Sequence, residues 1–325
     1  MRDAIRNEVC GFIHLSKNIT LEHLNLYFLG NFGIVGQYSD NLTYKYLNCE
    51  PEYGSGRTCA GFADFVQMSG CKGKIRIINS RFEGAQDDPI NIHGTHLKVI
   101  AYEPGNKIVV RSMHPQSYGF EAFFPGDEIE FTEIHSLQCL HKTSVLKVER
   151  INDYDCKLTL NSSVPSILPQ QEVVIENITW TPEVEIRNNY FARTPTRGIL
   201  VTTRRKVIIE NNVFYRTPMS AIAVSNDARS WYESGPVHDL TIRNNHFIEC
   251  GSPVINIAPE NKRPNGTVHK WIHIENNRFT LKDKQAIYAR WTDNIRISGN
   301  YFEGIYPIST KESVLLEHCT NVENE

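Results

Sequence analysis

A short alternating strand, a polar corner and a phenylalanine recur along the chain. The copies span 75–82, 184–191, 207–214, 240–247, 272–279 and 295–302. They end on Phe82, Phe191, Phe214, Phe247, Phe279 and Phe302. Alternate strand residues share one face, so Ile75 and Ile77, or Val184 and Ile186, are expected to point inward together. Asparagine suits the corner because its side chain bonds local backbone and tolerates left-handed geometry. A second apolar strand follows at fixed offset. Ile90, Ile199, Ile222, Ile255 and Ile287 stand eight residues past the Phe; Ile92, Val201, Val224, Ile257 and Ala289 stand ten past it. From Phe191 onward the steps between phenylalanines are 23, 33, 32 and 23 residues. Repeats of that length imply stacked coils about 4.8 Å apart with columns of like residues inside. The predicted fold is all-β, a right-handed parallel β-helix; the leucine lattice and shorter period of leucine-rich repeats are absent.

The ladder is interrupted between Phe82 and Phe191, 109 residues apart. Short β segments are expected there at 96–102, 107–112, 128–132, 144–151 and 157–161, with turns at Gly105-Asn106 and Pro125-Gly126-Asp127. They read as a small β-barrel inserted into one coil. The expected organisation is N-terminal coils over 1–94, the insert over 95–180 and C-terminal coils over 181–325. Ile19-Thr-Leu-Glu and Leu42-Thr-Tyr-Lys look like earlier, less regular coils. A solenoid needs a cap and none precedes them, so the chain is expected to be a fragment or to have lost an N-terminal part.

Composition narrows the function classes. A net charge of −3 leaves no basic footprint for nucleic acid. No apolar run reaches the roughly 18 residues of a membrane span, so no membrane insertion is expected. Met1 to Arg6 lack the apolar stretch of a secretory leader, so the sequence itself assigns no compartment. The eight cysteines contain no CxxC pair, which argues against zinc. Buried thiols are expected, with a Cys49–Cys59 or Cys59–Cys71 bridge as the alternative. GxxxxGK, HExxH and GxSxG are absent, which disfavours nucleotide, zinc-protease and serine-hydrolase chemistry.

The chemistry concentrates in two neighbouring coils. Aligning the inward Val66 on Ile90 and Met68 on Ile92 sets Asp64 on Asp88, with Asp87 beside it. Like charges so close raise the pKa of one member, and a proton donor with an ionised partner is what acid–base hydrolysis requires. Arg197 lies six residues past Phe191, as Asp88 lies six past Phe82. A stacked arginine would hold the nearer aspartate ionised. Asp64 is therefore expected as acid and Asp88 or Asp87 as base, with Asn91 and His93 as sugar contacts. On the residues alone, two other readings stand: Asp87-Asp88-Pro89 as a structural turn, and a calcium site. No cofactor or metal is expected.

The segments GFADF (61–65), SGCKGKI (69–75), NSRFEG (79–84) and DDPINIHGT (87–95), with Gly54-Ser-Gly-Arg57 upstream, resemble the inverting α-1,3-galactosidases of glycoside hydrolase family 110. The resemblance covers most of the chain, including a barrel inserted after the Asp-Asp strand. It implies an exo-acting enzyme that releases terminal α-1,3-linked galactose from glycans and inverts the anomeric centre. It also implies Asp64 as proton donor, Asp87 and Asp88 as the base pair, and a secreted or periplasmic location. Pro89 stands where the family has a small residue, and the N-terminal region is shorter. A polygalacturonase-like hydrolase is the alternative enzyme. Its Asn-Thr-Asp and Gly-His-Gly motifs are missing, and Arg204-Arg205-Lys206 supplies Arg-x-Lys without the preceding Gly-His-Gly. A non-catalytic glycan-binding β-helix is the second alternative, with Trp231-Tyr232 and Trp291 as aromatic platforms. Assembly into a homo-oligomer stays open.

Overall fold

The computed structural model describes residues 8–304 and 310–324. Three ladders of parallel strands wind along it. The first has nine rungs among the described residues, from Val9–His14 to Val314–Glu317. The second also has nine, from Lys17–Glu22 to Thr320–Asn324, and the third has seven, from Asn48–Cys49 to Tyr301–Gly304. Ile19 and Leu42 sit in register on the early coils.

The inward columns form as the periodicity predicts. Val66, Ile90, Ile199, Ile222, Ile255 and Ile287 pair rung to rung in the first ladder. All six are fully buried, and each such side chain contributes roughly 1.5–3 kcal/mol. The phenylalanine rings from Phe82 to Phe302 stack with centroids 5.4, 4.8, 5.1, 4.8 and 5.1 Å apart.

Each Asn-Asn corner divides two tasks. The first residue takes the left-handed conformation: Asn188, Asn211, Asn244 and Asn276 have φ of 56°, 57°, 55° and 55°. Gly299 fills that place in the last copy at φ 62°, which a residue without Cβ adopts freely. The second asparagine turns inward. Asn189, Asn212, Asn245 and Asn277 each donate Nδ2 to the Oδ1 of the asparagine one coil on, at 3.0 Å. Each also donates Nδ2 to a strand carbonyl at 2.9 Å. The corner is polar yet buried because each amide N–H pair is satisfied by an Oδ1 on the next coil and a strand carbonyl on the preceding one.

The interruption is a closed antiparallel ring of six strands: Ile90–Glu103, Lys107–Arg111, Asp155–Leu160, Cys139–Arg150, Glu128–Glu133 and Val173–Asn177. Val173–Asn177, the strand that shuts the ring, carried no sequence expectation. The strand Ile90–Glu103 serves both bodies. Its start pairs in parallel with Val66–Ser69 and Ile199–Val201, and its continuation pairs antiparallel inside the barrel. The barrel core gathers Leu97, Ile108, Val110, Phe123, Ile129, Phe131, Leu158 and Ile175, with Tyr38 packed in from an N-terminal coil.

The two long coil steps, 33 and 32 residues, have a structural reason. Their extra residues reach the barrel. Glu233 and Ser234 pair with Thr95 and Gly94. Arg263 N–H donates to the His135 carbonyl at 3.0 Å, and Gln138 Nε2 donates to the Thr267 carbonyl at 3.1 Å. A small core of Ile134, Leu137, Val174, Ala228, Tyr232 and Val268 fills the joint. Arg204 of the β-helix crosses it to Glu130, at 3.0 Å, and to Glu176.

All eight cysteines are free thiols, so neither alternative bridge forms. Burial pushes the Cys71 thiol up to about 12. Among the described residues no helix is long and apolar enough to cross a membrane.

Candidate active site

The expected alignment of the two carboxylate coils is the observed register: Val66 pairs with Ile90 and Met68 with Ile92. Asp64 and Asp88 therefore each lie two residues before a paired position. Arg197 takes the same place on the following coil, two before Ile199, the partner of Ile90. Local packing fixes the turn of Asp64. Phe65 enters the core, and the N–H groups of Gly33 and Ile34 bond the carbonyls of Asp64 and Phe65 at 3.0 and 2.8 Å. A Cβ on Gly33 would stand 2.4 Å from the Phe65 carbonyl oxygen and 2.5 Å from that of Asp64. Only glycine allows this approach.

Asp64, Asp87, Asp88, Asn91, His93, Arg197 and Trp231 all line one open cleft of about 1180 Å³. Its walls come from N-terminal coils (Phe12, Phe32, Val35), a barrel loop (His114 to Phe120) and the long coil carrying Asp227 to Glu233. Asp64 is only 5% exposed and still borders the cleft. Trp231 is 54% exposed and packs on His114, ring centroids 4.8 Å apart. Trp291 does not line the cleft. Its ring stacks on His318 at 4.2 Å in the C-terminal coils, so it is withdrawn as a sugar contact. Residue type had suggested it, and its place along the solenoid removes it.

Asp88, 2% exposed, is held from three directions. Arg197 gives Nε to Oδ1 at 3.0 Å and Nη2 to Oδ2 at 2.9 Å, and its backbone N–H reaches Oδ1 at 3.1 Å. Burial raises the Asp88 pKa above the ordinary value; Arg197 opposes this and Asp87 adds to it. A protonated Asp88 would turn an O–H against one of these donors, so the donor set favours the anion. Asp87 is anchored through its backbone: its carbonyl accepts the Thr194 hydroxyl at 2.9 Å, and its Oδ1 accepts the Asp88 N–H at 3.1 Å. Among the described residues, no group of three or more His, Cys, Asp and Glu side chains is arranged to hold a metal ion.

Gln67, Glu233 and His114 are among the cleft residues that sequence reasoning missed. Gln67 pairs with Asn91 across the coil step, so the alternation that found Asn91 would have found it. Glu233 accepts from Asn91 Nδ2 at 3.1 Å, and its signal was the extra length of its coil. His114 comes from a barrel loop with no motif.

Comparison with known proteins follows the same division into barrel and coils. Residues 107–174 match the family model "GLAA-B beta-barrel domain II", and residues 177–302 match "Right handed beta helix region". The chain is 53% identical over 327 residues to an alpha-1,3-galactosidase A of Bacteroides thetaiotaomicron, covering 99% of this chain and 58% of that protein. It is 45% identical over 311 residues to an alpha-1,3-galactosidase A of Bacteroides fragilis, covering 92% of this chain and 51% of that protein. Among solved structures, a family 28 exopolygalacturonase of Yersinia enterocolitica aligns with a TM-score of 0.45 and 13% identity, covering 94% of this chain and 46% of that one. The chain is a right-handed parallel β-helix carrying a β-barrel, and it spans about half the length of the curated alpha-1,3-galactosidases it matches.

Proposed function

We propose that this protein is an α-galactosidase that releases terminal α-1,3-linked galactose from glycans by direct displacement with inversion. The observation that carries the proposal is the meeting of Asp64, Asp87 and Asp88 in one cleft with Arg197 locked onto Asp88. The names of the relatives that match nearly the whole chain support the substrate class, and the motifs around Asp64 and Asp87-Asp88 support family 110.

Asp64 acts as general acid and protonates the leaving glycosidic oxygen. Asp87 and Asp88 hold a water on the opposite side of the sugar and take its proton, and Arg197 keeps Asp88 ionised for that task. The water oxygen bonds to the anomeric carbon as the bond to the departing sugar breaks, so β-galactose leaves. Inversion requires carboxylates about 6.5–9.5 Å apart. One coil step of about 4.8 Å and one residue of about 3.3 Å along the strand separate Asp64 from Asp87 by roughly 6 Å before side-chain splay.

The test is a panel of galactosides differing only in linkage, assayed for free galactose with the native enzyme and Asp64→Asn. The α-1,3 linkage should be cut fastest. Asp64→Asn should lower kcat about 10²–10⁴-fold, the range for a lost acid–base group, with binding retained. Equal turnover by both proteins would remove Asp64 from the mechanism, and binding without turnover by the native protein would favour a glycan-binding module.

A further inference from the structure

One wall of the cleft is a strap, residues 226–235, that leaves the long coil and brings Trp231 and Glu233 to the cleft. The strap shapes itself. The Asp227 carboxylate accepts the backbone N–H of Arg229 at 3.1 Å, of Ser230 at 2.9 Å, of Tyr232 at 3.0 Å and of Trp231. The Asp227 N–H closes the loop on the Glu233 carbonyl at 2.9 Å. These bonds are internal to the strap, so they set its shape and not its seat.

The seat is at His96, which is 1% exposed. Its backbone N–H donates to the Tyr232 carbonyl at 2.8 Å, and its ring Nδ1 lies 2.9 Å from the Asp227 carbonyl. A carbonyl only accepts, so Nδ1 carries the proton. Burial lowers the pKa of the ring, so near neutral pH this is the one ring proton. His96 also stands at the border of the two bodies. Along the strand Ile90–Glu103, His93 still pairs with Ser69 of the β-helix. Gly94 and Thr95 pair with Ser234 and Glu233 of the strap. His96 opens the barrel pairing, opposite Glu176, which Arg204 of the β-helix holds. Asp64 and Asp88, by contrast, are set by the coil register of Val66 and Ile90.

We propose that His96 is a positioning residue for the reaction. Through the Asp227 carbonyl it fixes the strap, so the place of Trp231 and Glu233 in the cleft depends on how the barrel is seated on the β-helix. The assignment rests on the galactosidase reading for its effect on substrate. Strap residues form a wall of the cleft throughout the reaction, whereas the carboxylates that break the bond stand on the coils. A displaced strap therefore weakens binding uniformly: KM rises and kcat holds.

The experiment compares native protein with His96→Leu and His96→Asn, whose amide nitrogen can donate where Nδ1 does. Two quantities are measured: hydrogen exchange of the amides of residues 229–232, and KM and kcat on α-1,3-galactobiose. His96→Leu should exchange these amides about tenfold faster, as expected for one lost buried hydrogen bond. Its KM should rise by a similar factor while kcat stays within about threefold. His96→Asn should restore both towards native. If the leucine variant does not fold, His96→Gln carries the comparison, since its amide nitrogen stands near the place of Nε2 and not of Nδ1. Native exchange and native KM in the variant without the donor overturn the proposal. So does a fall in kcat at unchanged KM, or an asparagine variant no better than leucine. A native protein that releases no galactose overturns the galactosidase reading and the substrate half of the proposal with it, while the exchange comparison decides the clamp by itself.

Discussion

Asp88 is where burial and an arginine act against each other. Burial lifts its pKa, so its protonation, and with it the loss of a base, sets in at a higher pH than for an ordinary aspartate near 3.9. Replacing Arg197 by Gln removes the opposing charge and two side-chain hydrogen bonds. The acidic limb of the kcat/KM profile should then move to still higher pH; a limb that stays put or moves down would show that Asp88 does not set it. Residues at this scale differed in how legible they were. Asp64, Asp88 and Arg197 could be aligned because each keeps a fixed distance from an inward apolar residue. Glu233 has no such ruler: it meets Asn91 from 142 residues away through a loop. Trp291 was chosen by residue type alone, and its ring lies on His318 instead.

At the scale of the element, the Asn-Asn corner is the repeating device, and its two residues should respond differently to substitution. Asn212 accepts the Asn189 backbone N–H at 2.9 Å and donates to Asn245 and to the Ile186 carbonyl. Asn212→Ala leaves buried groups unpaired and should cost roughly 2–4 kcal/mol. Exposed Asn211 needs only its left-handed φ of 57°. Asn211→Ala should cost about 1–2 kcal/mol and Asn211→Gly much less, as the natural Gly299 at the same corner indicates. Denaturant midpoints of the three variants test this order. The strands and corners were readable because period-two alternation and the Asn signal repeat in register. The closing barrel strand Val173–Asn177 was not, since a barrel wall repeats nothing and its partners Ile90–Glu103 and Glu128–Glu133 lie far off in sequence.

Across the whole molecule, the barrel is joined to the β-helix by a buried charge cluster. Arg204 lies between Glu130 and Glu176, all three nearly sealed from solvent. Burial alone would raise the Glu130 pKa, but Arg204 and Lys142 outweigh it and the value falls. Its contribution to stability is therefore present above the unfolded-state pKa and lost as pH falls through the folded one. Arg204→Met strands two buried carboxylates and should destabilise the protein by roughly 3–5 kcal/mol near neutrality. The deficit should shrink on acidification as Glu130 takes up a proton, which melting curves across pH will show; a deficit that grows would contradict it. This joint was invisible in the sequence because Arg204 stands 74 residues from Glu130 and no motif links them. The two long coil steps were its only trace. What the assembled cleft does to its substrate is most directly read by proton NMR of α-1,3-galactobiose at the start of digestion. The account predicts β-galactose as the first product, with the α form growing in only by mutarotation. First appearance of α-galactose, or no galactose at all, would contradict it.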